Sequence, residues 1–239
     1  MAQKQYPCEH VVPTEQEPRH HLVIANEFVR AFAVEIAPHD RTLCHHHAHD
    51  YLMYVAGDAQ IVSAPRDGEP KTHTYQDGDC EVSPAGLVHV VENLTNTSFR
   101  NLVVELLPGM GELQCGGDPT ITIGNGEVEA IFEEERISVW SLDLGPGAQA
   151  EADGPAIVAI PYGERLHPRD PGDITVKADN VHSMGWIASD RCGLLRSRLE
   201  RPLRAIVFQL GRTEEQLAAV RKRAGEPIRS LRAYAEEPE

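Results

Sequence analysis

Gly78-Asp79-Cys80-Glu81-Val82-Ser83-Pro84-Ala85-Gly86-Leu87-Val88-His89-Val90-Val91-Glu92-Asn93 is the stretch whose reading decides the fold. Two short runs within it read as strands, Cys80 to Ser83 and Val88 to Glu92. Gly78 opens the turn before the first, and Pro84 and Gly86 reverse the chain sharply between antiparallel strands. That reversal carries His89 back toward a histidine-rich segment upstream.

The upstream segment is Cys44-His45-His46-His47-Ala48-His49-Asp50-Tyr51, which holds four of the chain's 12 histidines and a carboxylate. Residues two apart on a strand share a face, so His45 and His47, or His47 and His49, can converge on one point. Neutral imidazoles beside a carboxylate suit Zn, Fe, Mn, Ni or Cu. A tag-like histidine run belongs at a terminus, whereas this one is flanked by apolar strands.

Outward from these two segments the text stays strand-like. Phe28, Phe32, Val34 and Ile36 alternate with smaller or polar residues and stop at Pro38. Leu52 to Val55, Ala59 to Val62, Thr72 to Tyr75 and Phe99 to Leu107 read as further short strands, separated by turns such as Gly57-Asp58 and Pro65-Arg66-Asp67-Gly68. Many short strands with frequent turns imply an antiparallel sandwich or barrel. Residues 1–22, with Pro7, Pro13 and Pro18, read as an extended N-terminal arm, and residues 108–126 as a glycine-rich linker. The pattern then starts again. Trp140, Leu142 and Leu144 fall where Phe32, Val34 and Ile36 fell, and the run again ends at a proline, Pro146. Leu203 to Phe208 echoes Phe99 to Val104. An internal duplication of roughly a hundred residues gives each copy the size of a domain. Residues 23–107 and 127–210 are therefore the expected domains. Residues 211–239 form a closing tail, with a helix capped by Thr213 and Gln216 and stopped by Gly225 and Pro227.

The segment Gly78 to Asn93 resembles the second signature of the cupin superfamily, whose fixed positions are met by Gly78, Pro84, Gly86, His89 and Asn93. The histidine stretch resembles the first signature less closely. Asp50 stands seven residues before Gly57, where the family has glutamate, but only two residues separate it from His47. The resemblance implies an all-β bicupin, two jelly-roll (double-stranded β-helix) barrels in one chain. It also implies a divalent transition metal (Fe, Mn, Zn or Ni) held by His45, His47 and His89, with Asp50 as a further ligand or as an acceptor orienting a histidine. His46 or His49 in place of one of the pair stays open. In the second copy Glu151 and Asp153 take roughly the places of the histidines, and Ala156 that of Asp50. Ala178 and Asn180 stand for the turn proline and glycine, so the fold is expected there without the site.

The implied function is a metal-dependent enzyme acting on a small organic molecule, oxygenase-like or a lyase or isomerase. The alternative is a non-catalytic protein binding a small ligand or metal. Tyr54, on the strand after Asp50, and Arg100, on the closing strand, are candidate catalytic pocket groups. Because Arg204 holds the matching place in the second copy, a shared structural role for both arginines stands beside that reading. The net charge of -15 repels phosphate backbones, so nucleic acid is not an expected partner. No apolar run is long enough to span a bilayer. Five cysteines without a CxxC pair argue against a disulfide framework and for a reducing cytoplasm. A homodimer, the common state of single cupins, is the expected self-association.

Overall fold

A computed structural model describes residues 6–112, 121–124, 126–134, 136–160, 164–168, 173–178, 183–187, 192–197 and 200–211. The expected helix at Thr213 lies outside them. The chain divides into two compact units, the first taking in the strands up to Leu106 and the second most of those from Ile121 onward.

The first unit begins with β1 (Val12–Pro13), a 3-10 turn at Thr14–Gln16, β2 (His20–Ala25), β3 (Val29–Ile36) and β4 (His45–His46). It continues with β5 (Tyr51–Ala56), β6 (Ala59–Pro65), β7 (Lys71–Tyr75), β8 (Cys80–Ser83), β9 (Val88–Asn93) and β10 (Phe99–Leu106). These form two five-stranded sheets, ordered β1-β4-β9-β6-β7 and β2-β3-β10-β5-β8. Thus β1 and the start of β2 lie within the stretch expected as an arm. Strands β8 and β9 belong to different sheets, so the Pro84–Gly86 reversal passes the chain from one sheet to the other.

Alternation decides what faces inward. On β10, Phe99, Asn101 and Val103 turn to the enclosed side, as do Val34 and Ile36 on β3 and Tyr51 and Met53 on β5. Phe32, Ile36, Phe99 and Val103 belong to one buried cluster. Each large apolar side chain removed from water contributes roughly 1.5–3 kcal/mol, which is why β-branched and aromatic residues dominate these positions.

Gly78, Gly86 and Asn93 of the glycine-to-asparagine stretch each have a visible task. Gly78 and Gly86 hold φ of +91° and +96°, the left-handed region that side chains disfavour. Gly86 N–H donates to the His47 carbonyl, and His47 N–H donates to the Leu87 carbonyl, so the turn fixes the histidine strand from behind. Asn93 is fully buried. Its amide donates to the carbonyls of Ile36, Ala37 and Thr97, and its oxygen accepts from Thr95, so it ties the end of β3 to the β9–β10 turn.

The second unit repeats the plan with β11 (Ile121–Ile123), β12 (Gly126–Glu133), β13 (Ile137–Leu144), β14 (Gln149–Asp153) and β15 (Ala156–Ile160). It closes with β16 (Glu164–Pro168), β17 (Asp173–Ala178), β18 (Ser183–Ile187), β19 (Cys192–Ser197) and β20 (Leu203–Leu210). Its sheet β12-β13-β20-β15-β18 matches β2-β3-β10-β5-β8 position by position. The other sheet, β11-β14-β19-β17-β16, departs at one end: β19 lies beside β17 and parallel to it, where β9 lies beside β6 and antiparallel. Strands β11 and the start of β12 fall within the expected linker.

The cysteine reading needs correction. Cys8 and Cys44 form a disulfide, with Cα atoms 5.1 Å apart. They are 36 residues apart in sequence and come together because β1 runs beside β4, a pairing that cysteine spacing does not reveal. The bridge removes the ground on which a reducing compartment was expected. No helix among the described residues is long and apolar enough to cross a membrane.

Candidate metal centre

Strand β4 places His45 directly opposite His89 of β9. Both are buried, as is His47. Their Nε2 atoms converge: His45 to His47 is 3.2 Å, and His89 to His45 is 3.2 Å. A fourth imidazole, His20 of β2, joins them, its ring centroid 4.7 Å from that of His45. His20, His45 and His47 each offer a ligand atom within 4.8 Å of the others. The interior thus gathers four imidazoles where hydrocarbon side chains would be cheaper to bury.

The other ring nitrogen of each histidine is held from outside the cluster. His45 Nδ1 lies 3.0 Å from the Leu43 carbonyl, and His89 Nδ1 3.0 Å from Ser63 Oγ. His20 Nδ1 is 2.9 Å from Glu17 Oε2. His47 Nδ1 is 3.6 Å from Glu105 Oε1 and 3.5 Å from Thr14 Oγ1, and the ring stacks on Tyr51 at 4.1 Å between centroids. A proton on Nδ1, donated outward, leaves Nε2 as the free lone pair, the arrangement that metal-ligating histidines use.

Electrostatics keeps the rings of His45, His47 and His89 neutral. Burial, then the neighbouring His20 and His47, push His45 down to about 3. Burial and the adjacent histidines carry His89 well below its ordinary value, and burial lowers His47 against the raising influence of Glu105. Glu17 is held at about 2: burial opposes its charge, but His20 and the N–H groups of Arg19 and Leu43 outweigh it. Glu105 is likewise lowered against burial by His47 and Arg30, whose Nη2 stands 2.8 Å from Oε2. The centre therefore holds neutral nitrogen donors backed by two buried carboxylates. That donor set fits a borderline transition metal and not an oxygen-seeking Mg or Ca ion.

The structure brings together three of the residues expected as ligands, His45, His47 and His89. Asp50 is placed elsewhere: its Oδ1 accepts the Ala85 N–H at 2.8 Å in the β8–β9 turn, and it does not line the cavity. It precedes β5 at the position alternate to Tyr51 and Met53, so the strand turns it away. Tyr54 and Arg100 also do not line the cavity. The period of two again explains this, for their neighbours Met53, Phe99 and Asn101 take the inward positions. Arg100 pairs with Glu35 at 3.1 Å, its cross-strand partner. Arg204 pairs in the same way with Asp143 at 3.2 Å, so the two arginines share a structural role.

Sequence reasoning missed His20, Glu17, Thr14 and Glu105. Glu105 carries a legible signal, a lone acid in the apolar run Leu102-Val103-Val104-Glu105-Leu106. His20 is harder to find, because it sits in the proline-rich arm, and only the β2–β3 pairing brings it inward.

The cluster opens into a cavity with about 580 Å³ of empty space, its mouth included. Its walls are largely apolar, with Val34, Ile36, Ile61 and Val91 among them.

Set beside solved structures, the fold has clear relatives. The 11S globulin from Wrightia tinctoria is 12% identical, covers 84% of this chain and 86% of its own, and superposes with a TM-score of 0.54. The vicilin from Capsicum annuum is 11% identical over 79% of this chain and 77% of its own, with a TM-score of 0.54. AerE from Microcystis aeruginosa is 10% identical over 82% of this chain and 99% of its own, with a TM-score of 0.52. The sequence matches no protein-family model and no curated protein. At such identities the likeness speaks for the fold, and each match spans both units. The chain is a bicupin in fold, two cupin barrels in succession.

Proposed function

We propose that the first barrel is a transition-metal centre acting on a small organic molecule, oxygenase-like or as a lyase or isomerase. The observation that carries this is the convergence of His45, His47 and His89 through Nε2, with His45 to His47 and His89 to His45 each 3.2 Å, and with Nδ1 of His45 and His89 hydrogen-bonded outside the cluster. His20 is the fourth candidate donor. A divalent metal held there supplies Lewis acidity or, as iron, oxygen activation. The chain supplies the rest. Glu17 fixes the His20 imidazole, Glu105 stands 3.6 Å from His47 Nδ1, and Tyr51 covers the face of His47. The apolar walls exclude water from whatever is bound.

The test is elemental analysis of the purified chain, followed by oxygen-consumption screening of small organic candidates on the metal-loaded protein. Metal binding with turnover supports the enzyme reading. Metal binding with ligand capture and no turnover supports the second reading, a non-catalytic binder.

A further inference from the structure

The cavity's chemistry is lopsided. Among the described residues its lining includes four histidines of the centre at one place, yet neither a lysine nor an arginine, and Glu81 is its single carboxylate. Glu81 and Ser83 take the inward positions of β8, next to the half-buried His73 and Met53. Glu81 is engaged away from the histidines: Tyr75 Oη donates to its Oε2 at 2.7 Å. Its Oε1 accepts no hydrogen bond among the described residues. Beside this pair the wall is aromatic. His73, Tyr75 and Phe99 succeed one another with nearly parallel planes, 6° and 8° apart. An apolar body suits such a wall.

These features decide what the pocket accepts. A carboxylate away from the metal finds no cation there and meets Glu81 instead. A hydrogen-bond donor finds an ionisable acceptor already braced on one oxygen, with the other open. We infer that Glu81, braced by Tyr75, is the specificity-determining residue of this cavity. It selects a small, largely apolar molecule that binds the metal through one group and presents an amine or hydroxyl donor, not a second anionic group, to Glu81. This rests on the metal reading of the first barrel.

The test uses the full chain loaded with Co(II) and three probes that differ at one position: benzohydroxamate, its para-aminomethyl form and its para-carboxy form. Each hydroxamate engages the metal, and the change in Co(II) visible absorption gives its Kd. A charge-assisted hydrogen bond places the aminomethyl probe about tenfold or more tighter than the parent, and the carboxy probe falls weaker than the parent. Glu81→Gln keeps an acceptor for Tyr75 Oη while removing the charge, so the three affinities draw together with the parent probe unchanged. Glu81→Lys reverses the order of the two charged probes. An unchanged order in both variants, or a carboxy probe as tight as the aminomethyl one in the unaltered chain, overturns the assignment of Glu81. Failure of all three probes to alter the absorption of a chain that holds Co(II) overturns this inference alone, whereas failure of the chain to hold Co(II) overturns the metal reading and this inference with it.

Discussion

The two barrels share most of their strand order and differ in what one cross-strand pair carries. In the first, β4 sets His45 opposite His89, both buried. In the second, β14 sets Ala150 opposite Leu195, both buried as well. Ala152 is also buried, while Glu151, expected near a histidine's place, is exposed. The difference teaches that the barrel needs only apolar alternation and closed sheets, which small hydrocarbon side chains satisfy as well as imidazoles do. The histidine cluster is a local choice at a few inward positions, with Glu17 and Glu105 beside it in the first barrel. Nothing in the strand order calls for it.

The largest effect expected from breaking this asymmetry comes at the histidines. His47→Ala or His89→Ala abolishes measurable metal binding, read by elemental analysis after reconstitution. Leu195→Ala in the second barrel leaves metal content unchanged and costs about 2–5 kcal/mol of stability, read by denaturant unfolding. Metal loss from the Leu195 variant while it remains folded contradicts the assignment of the site to the first barrel.

Next come His20 and Asp50, where sequence and structure part. His20→Ala weakens metal affinity markedly, because it removes a nitrogen donor adjoining His45. Asp50→Ala leaves affinity close to that of the unaltered chain and destabilises the fold by about 1 kcal/mol, the worth of its hydrogen bond to the Ala85 N–H. Competition with a chelator of known affinity separates the two, and the reverse order restores Asp50 as the carboxylate ligand.

A smaller effect is expected one layer out. Glu17→Gln and Glu105→Gln each reduce metal affinity by about 10–100-fold, as the loss of a carboxylate orienting a ligating histidine does. Chelator competition reads this too, and unchanged affinity in both variants removes them from the centre. The smallest effect is one the barrels share. Arg100→Ala and Arg204→Ala each change stability by about 0–1 kcal/mol, as solvent-exposed ion pairs do, and Arg100→Ala leaves probe binding intact.

How much of this was legible in the sequence follows from the range of each signal. The second signature was legible because Gly78, Pro84, Gly86, His89 and Asn93 lie within one continuous stretch, and each does local work on a turn or a strand end. The duplication was legible because alternation repeats in β3 and β13 and again in β10 and β20. Asp50 was misplaced because counting back from Gly57 fixes a position along the chain and not the face a side chain takes. Tyr54 and Arg100 failed for the same reason, a one-residue difference in parity. His20 and the Cys8–Cys44 bridge were illegible because both depend on the N-terminal segment pairing with strands far away in sequence, Cys8 beside β4 and His20 opposite Val34.

The most direct measurement is the number of metal ions per chain, by elemental analysis of protein reconstituted separately with Fe, Mn, Zn and Ni. The account requires one ion per chain, lost together with His45→Ala. Two ions per chain, or none with any of the four metals, contradicts it.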